Sequence, residues 1–161
     1  MNFYIFLDID GVLNHSKTPG WQRTDHSGLV LDDGCVSNYL KLLERLRNSG
    51  MNLKIVLSST WRLVPKARDY LREHGIFWDD VTIGRLSSRR DFEIGEYIVD
   101  NKLDAKDCLI LDDACTASLW GSTLVSTDFA TGGFTDLHLE KAVNLAFYRK
   151  IALDYSTEPE S

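Results

Sequence analysis

The chain has 161 residues, 43% of them hydrophobic and 26% charged, with a formal net charge of −6. That length suits one domain with a good core and is too short for two comfortable ones. The acidic balance excludes a nucleic-acid clamp driven by charge alone, although a local basic patch is compatible with it, and no apolar run approaches the roughly 20 residues that span a bilayer.

Residues 3–7 (Phe-Tyr-Ile-Phe-Leu) are apolar on both faces, as in a strand from the middle of a parallel sheet. This N-terminal stretch is short, lacks a basic flank and runs into Asp8 and Asp10, so no signal peptide is expected and the chain reads as cytoplasmic. Residues 14–33, rich in Gly, Ser, Thr, Asp and Pro, read as an irregular flap. A helix is expected over 37–50, with Leu40, Leu43 and either Leu46 or Arg47 at helical spacing and Asn48-Ser49-Gly50 as its stop. A second strand, Leu53 to Leu57, ends in Ser58-Ser59-Thr60, and a helix over 65–75 starts at Pro65 and stops at Gly75.

Val81 to Ile83 is a short strand candidate, followed by a polar turn carrying Arg85, Arg89 and Arg90. The next helix, 91–101, is expected to turn Phe92, Ile94 or Gly95, and Ile98 inwards. Cys108 to Leu111 is a third apolar strand ending in Asp112-Asp113, and Thr123 to Ser126 a last short one. An amphipathic helix over 135–150 closes the fold. The expected organisation is a single domain over residues 1–152 and a disordered polar tail, 153–161. Cys35, Cys108 and Cys115 are not spaced as a metal knuckle and are expected to be free thiols; the scattered His15, His26, His74 and His138 predict no zinc site.

Strands alternate with helices, so the class is α/β with a mostly parallel sheet. The carboxyl ends of parallel strands share one edge, where ligands of open α/β sheets bind. Three strands end in polar residues there: Asp8 and Asp10, Ser58 and Ser59, Asp112 and Asp113. Four carboxylates brought together stay ionised only if a cation offsets them. Oxygen ligands suit Mg²⁺, which binds readily together with phosphate. A serine hydroxyl and an arginine from 85–90 complete a cup suited to a phosphoryl group. On an extended strand the Asp8 and Asp10 side chains point the same way while Ile9 packs inwards, and Gly11 permits a sharp turn.

"DIDGVLN" resembles the first motif of the haloacid dehalogenase (HAD) superfamily, "LSSTWR" its second, "RRDFEI" its third and "LILDD" its fourth, in that order over residues 3 to 130. Trp61-Arg62 and "TDFATGGFTDLHLEKA" resemble the small branch of RNA-repair phosphatase domains. The resemblance implies a three-layer sandwich around a Rossmann-like sheet. It implies Asp8 as a nucleophile that forms an aspartyl-phosphate, and Asp10 as the acid and base, with its main-chain carbonyl on the metal. It implies Asp112 and Asp113 as further Mg²⁺ ligands. Ser59 is favoured over Ser58 as the phosphate-binding hydroxyl, and Arg90 over Arg89 as the phosphate cation. Gly11, Thr60, Trp61 and Arg62 are candidate substrate contacts; Trp61 is equally compatible with packing, and Arg62 with a local salt bridge.

Neither the 14–33 gap nor the 63–88 gap is long enough to fold as an independent cap. An open site favours a phosphorylated nucleic-acid end, a nucleotide or another accessible phosphomonoester, with His15, Lys17, Trp21 and Arg23 of the flap as possible contacts. The alternative is a receiver-like or phosphomutase-like module that keeps the acidic Mg²⁺ site; no Gly-x-x-x-x-Gly-Lys-Ser/Thr loop is present for a kinase.

Overall fold

A computed structural model describes residues 2–21, 29–85 and 89–156, with residues 150–156 by backbone alone. The candidate Arg23 and the end of the tail lie outside these residues. The elements are β1 (Asn2–Leu7), α1 (Asp33–Asn48), β2 (Asn52–Leu57), α2 (Pro65–Glu73), β3 (Asp80–Val81), α3 (Arg90–Asp100), β4 (Cys108–Asp112), α4 (Ala117–Trp120), β5 (Leu124–Ser126) and α5 (Asp136–Ser156). The five strands form one sheet in the order β3-β2-β1-β4-β5, parallel at every pairing.

The sheet divides its side chains by the two-residue period of a strand. Phe3, Ile5 and Leu7 of β1 join Leu53, Ile55 and Leu57 of β2, and Leu109 and Leu111 of β4, on one face. That face is covered by α1 (Tyr39, Leu42, Leu43, Leu46), α2 (Ala67, Leu71) and α5 (Leu139, Ala142, Val143, Ala146). Phe6, Val56, Ile110 and Leu124 point to the other face, against Ile94, Tyr97 and Ile98 of α3 and Trp120 of α4. The result is the three-layer α/β sandwich with a Rossmann-like parallel sheet.

Several boundaries differ from the periodicity reading. Helix α1 starts earlier, because the Asp32 side chain accepts from the Cys35 N–H and caps it at Asp33. Its Leu40 is exposed, and Tyr39 and Leu42 fill the core instead. Strand β3 is only Asp80–Val81, and Ile83 is exposed. Phe92 lies on the outer face of α3, 54% exposed, with the Arg89 guanidinium 5.1 Å from its ring centroid. The reason is rotation: at roughly 100° per residue, two steps from both Arg90 and Ile94 is the far side of the helix. Helix α5 continues to Ser156, beyond the expected end of the domain's last helix.

Strand β1 lies at the centre, and its Ile5 is fully buried beneath α1 and α5. Ile5→Ala is expected to lower the unfolding free energy by about 2–5 kcal/mol in urea titrations, through lost transfer energy and the cavity left behind.

Candidate active site

The chain runs outwards from β1 to β2 and β3, then returns to place β4 on the opposite side of β1. In open α/β sheets such a reversal is where ligands bind, outside the carboxyl ends of the flanking strands, here β1 and β4. The ladder carries the two ends forward together, with Leu7 opposite both Leu57 and Leu111. One step further, the Asp8 N–H donates to Leu111 O (3.0 Å) and the Ser58 N–H to Leu7 O (3.0 Å). Asp8, Asp112 and Ser58, far apart in sequence, thus follow adjacent strand positions.

Asp8, Asp112 and Asp113 offer carboxylate oxygens all within 4.8 Å of one another. Asp8 and Asp112 are buried. Arg90, at the start of α3, donates from one nitrogen to Asp8 Oδ1 (2.9 Å) and Asp112 Oδ2 (3.3 Å). Asp112 Oδ1 accepts from the Ala114 N–H (2.7 Å). Burial pushes the Asp8 carboxyl up to about 7, against the pull of Arg90 and with the push of Asp113. Burial, reinforced by the Asp8 charge, pushes Asp112 up to about 6. Burial also raises Asp113. Burial opposes the charge on Arg90, but Asp8 and Asp112 outweigh it and hold its proton more tightly.

With all three acids ionised, one guanidinium leaves two negative charges, the complement of a divalent cation. The donor set is entirely oxygen, which fits Mg²⁺ and not a soft metal. Gly11 shapes the same place. Its φ of +81° is a left-handed conformation, and a Cβ there would lie 2.1 Å from Asp113 Oδ2. Its carbonyl accepts from Thr127 Oγ1 (2.6 Å), which locks the turn to the loop after β5.

Asp10 stands apart from this cluster. The extended strand ends at Leu7, and the N–H groups of Val12 and Leu13 turn back to Ile9 O, so strand alternation no longer governs its direction. Its Oδ1 accepts from Asn14 Nδ2 (2.9 Å) and its Oδ2 from Trp61 Nε1 (3.1 Å). Ile9 is buried, as expected from its place between the two acids.

The turn after β2 separates the roles of "SSTWR". Ser58 Oγ is buried without a hydrogen-bond partner, whereas Ser59 Oγ accepts from the Trp61 N–H (3.2 Å) and caps the 3-10 turn Thr60–Leu63. Ser58 Oγ is thus the buried hydroxyl without a partner, and Ser59 Oγ the capping acceptor, whose own hydrogen is still free to donate. Thr60 is exposed at the start of this turn. Trp61 is only 5% exposed and packs near Tyr70 of α2, which leaves no open ring face for a base. Arg62, offered as a substrate contact, is also enclosed. Its guanidinium donates to Thr82 O (2.8 Å), Ser58 O (3.3 Å) and Ser59 O (3.0 Å), and pairs with Glu93 at 3.3 Å. Arg89 lies on the surface over Phe92, and Arg85 pairs with Glu96 and Asp100.

Sequence reasoning missed Asn14, Glu93 and Thr127. The signal available for Asn14 was its place four residues after Asp10, at the end of the turn. A second group, His15, Asp32 and Cys35, also converges within 4.8 Å. Internal bonds account for it. The Lys17 N–H makes His15 Nδ1 an acceptor, so Nε2 carries the hydrogen directed at Asp32 Oδ2 (3.1 Å), while Asp32 Oδ1 caps α1.

Residues 4–139 match the family model of the HAD domain in Swiss Army Knife RNA repair proteins. The chain belongs to this family. The match spans all four sequence motifs, most of β1 and the other four strands of the sheet. No curated protein and no solved structure matches the chain significantly. Among the described residues, no helix is long and apolar enough to cross a membrane.

Two predictions concern this frame. Asp8 and Asp112 bind protons more tightly folded than unfolded, so the stability they allow is full below about pH 4 and is lost as pH rises towards 7. In chelator, Asp112→Asn should flatten that decline in urea midpoint, and Mg²⁺ should raise the wild-type midpoint far more at pH 7.5 than at pH 5. Separately, Arg62→Met should cost about 3–5 kcal/mol in the same titration, because it leaves buried Glu93 without its nearest cation.

Proposed function

We propose that this HAD domain is a Mg²⁺-dependent phosphomonoester hydrolase that works through an aspartyl-phosphate on Asp8. The observation that carries the reading is the convergence of Asp8 and Asp112 at the strand crossover, bridged by Arg90. Asp8, Asp112 and Asp113 would hold the ion, with the Asp10 carbonyl as a further ligand. When bound, it supplies positive charge to the phosphoryl oxygens.

Asp8 is suited to attack because an ionised carboxylate needs no deprotonation. Its oxygen bonds to phosphorus as the ester oxygen leaves, and that oxygen takes a proton from Asp10. Asp10 then accepts a proton from the water that attacks phosphorus, which releases inorganic phosphate and restores Asp8. Arg90 stabilises the charge on the transferring group, and Ser58 Oγ donates to one of its oxygens. The unpartnered state of that buried hydroxyl supports this role, since a buried hydroxyl without a partner is costly unless a ligand completes it.

The substrate class is a phosphorylated nucleic-acid end or a nucleotide. The RNA-repair description of the family supports it. So does the rim: the loops after β1 and β5 meet where Trp21 and Phe129 stand edge to face, 4.7 Å apart and half-buried, and aromatic faces of this kind stack bases. The described helices all pack on the one sheet, and none forms a lid over its carboxyl edge.

With an aryl phosphate and Mg²⁺, wild-type protein should release phosphate, chelator should stop it, and Asp8→Asn should abolish it. Ser58→Ala should reduce kcat/KM by about 10²-fold, the effect of removing one donor to a developing oxyanion, and Ser59→Ala by less. Undiminished turnover by Asp8→Asn would remove the nucleophile. Comparison of 3′- and 5′-phosphorylated oligonucleotides with mononucleotides tests the substrate class.

A further inference from the structure

Asp10 carries one of the demanding roles in the proposed reaction, yet it lies in a turn, half-exposed, outside the ladder of β1. A carboxylate on such a turn has free rotation about two side-chain bonds. Here both of its oxygens are held. Asn14 Nδ2 reaches Oδ1 at 2.9 Å from the far end of the same turn. Trp61 Nε1 reaches Oδ2 at 3.1 Å from the turn after β2, fifty-one residues away in sequence.

Both donors are themselves fixed. Asn14 is fully buried, and its orientation is set by the Gly11 N–H, which can only donate and therefore faces Asn14 Oδ1 (2.9 Å). Its amide nitrogen also donates to Val30 O (3.0 Å). Trp61 is wedged near Tyr70, its main-chain N–H received by Ser59 Oγ and the turn behind it tied by Arg62 to Ser58 O and Ser59 O. A buried indole N–H satisfied by a single carboxylate, and a buried amide with every polar atom in use, give one side-chain orientation to Asp10.

We infer that Asn14 and Trp61 are positioning residues that clamp Asp10 for proton transfer to the leaving oxygen, and that Ser59 serves the same clamp by holding the Trp61 main chain. The inference rests on the phosphohydrolase reading above. It assigns "SSTWR" two tasks: Ser58 towards the phosphoryl group, and Ser59 and Trp61 towards the acid. The proton balance is unchanged: Asp10 gives its proton to the departing alkoxide or aryloxide, and neither clamp residue gains or loses one.

A clamp on a general acid has a signature that general destabilisation lacks. A poor leaving group, such as an alkoxide, needs its proton during bond cleavage; 2,4-dinitrophenolate does not. The test compares kcat/KM, which reports steps up to the first P–O cleavage, across an aryl and alkyl phosphate series for wild type, Asp10→Asn, Trp61→Phe and Asn14→Ser. Trp61→Phe keeps a buried aromatic ring and removes the N–H, and its melting curve reports whether folding is intact. The expected result is a loss of about tenfold or more on alkyl and phenyl phosphates, with dinitrophenyl phosphate changed less than threefold, in the direction of the larger Asp10→Asn effect. A uniform loss across the series, or none, in folded Trp61→Phe and Asn14→Ser would overturn the clamp while leaving the hydrolase reading intact. A wild-type protein that cleaves no member of the series would overturn both.

Discussion

Three carboxylates held within 4.8 Å of one another, two of them buried, is the costly arrangement on which the rest of this structure depends. Like charges at such distances repel strongly where water is excluded. The fold accepts the arrangement because β1 and β4 are neighbours running in parallel, so residues that follow each strand are forced onto the same edge. Arg90 offsets part of the charge, and the left-handed turn at Gly11 leaves room for the Asp113 carboxylate where any Cβ would collide.

The two motif arginines show how burial divides labour between like residues. Arg90 faces the acidic cluster from the first turn of α3 and remains partly accessible. Arg62 is enclosed and bonds three main-chain carbonyls. Glu93 joins them, 3.3 Å from Arg62 and 4.0 Å from Arg90. A continuous line of charge therefore runs from Asp8 and Asp112 through Arg90, Glu93 and Arg62 to the carbonyls of Ser58 and Ser59. It fixes the turn after β2 relative to the acidic edge.

The same turn carries information in both directions. Its carbonyls are held from beneath by Arg62, and its indole reaches forward to Asp10. The chain immediately after each of three strands is thus tied to at least one other, through Asp8 N–H to Leu111 O, Trp61 to Asp10, and Thr127 to Gly11. Such cross-ties hold the groups of the site in register with one another.

Much of this was legible in the chain itself. Apolar runs such as Phe3–Leu7 and Cys108–Leu111 read as buried strands, being short and apolar on both faces; the polar residues that close them are then expected at a sheet edge. The order of the four motifs and the approximate helices follow from the same local periods. What the chain could not reveal is which polar group meets which. Ser58 and Ser59 are chemically identical, and only the folded turn makes Ser59 Oγ the acceptor of the Trp61 main-chain N–H and leaves Ser58 Oγ buried without a partner. Arg62, Trp61 and Asn14 acquire their partners from segments up to fifty-one residues distant, and Phe92 and Leu40 turn outwards because the exact start of each helix sets its phase. Periodicity along a chain determines which face is apolar; hydrogen bonds are directional and short, so their pairing is decided only when tertiary packing brings the groups within about 3 Å.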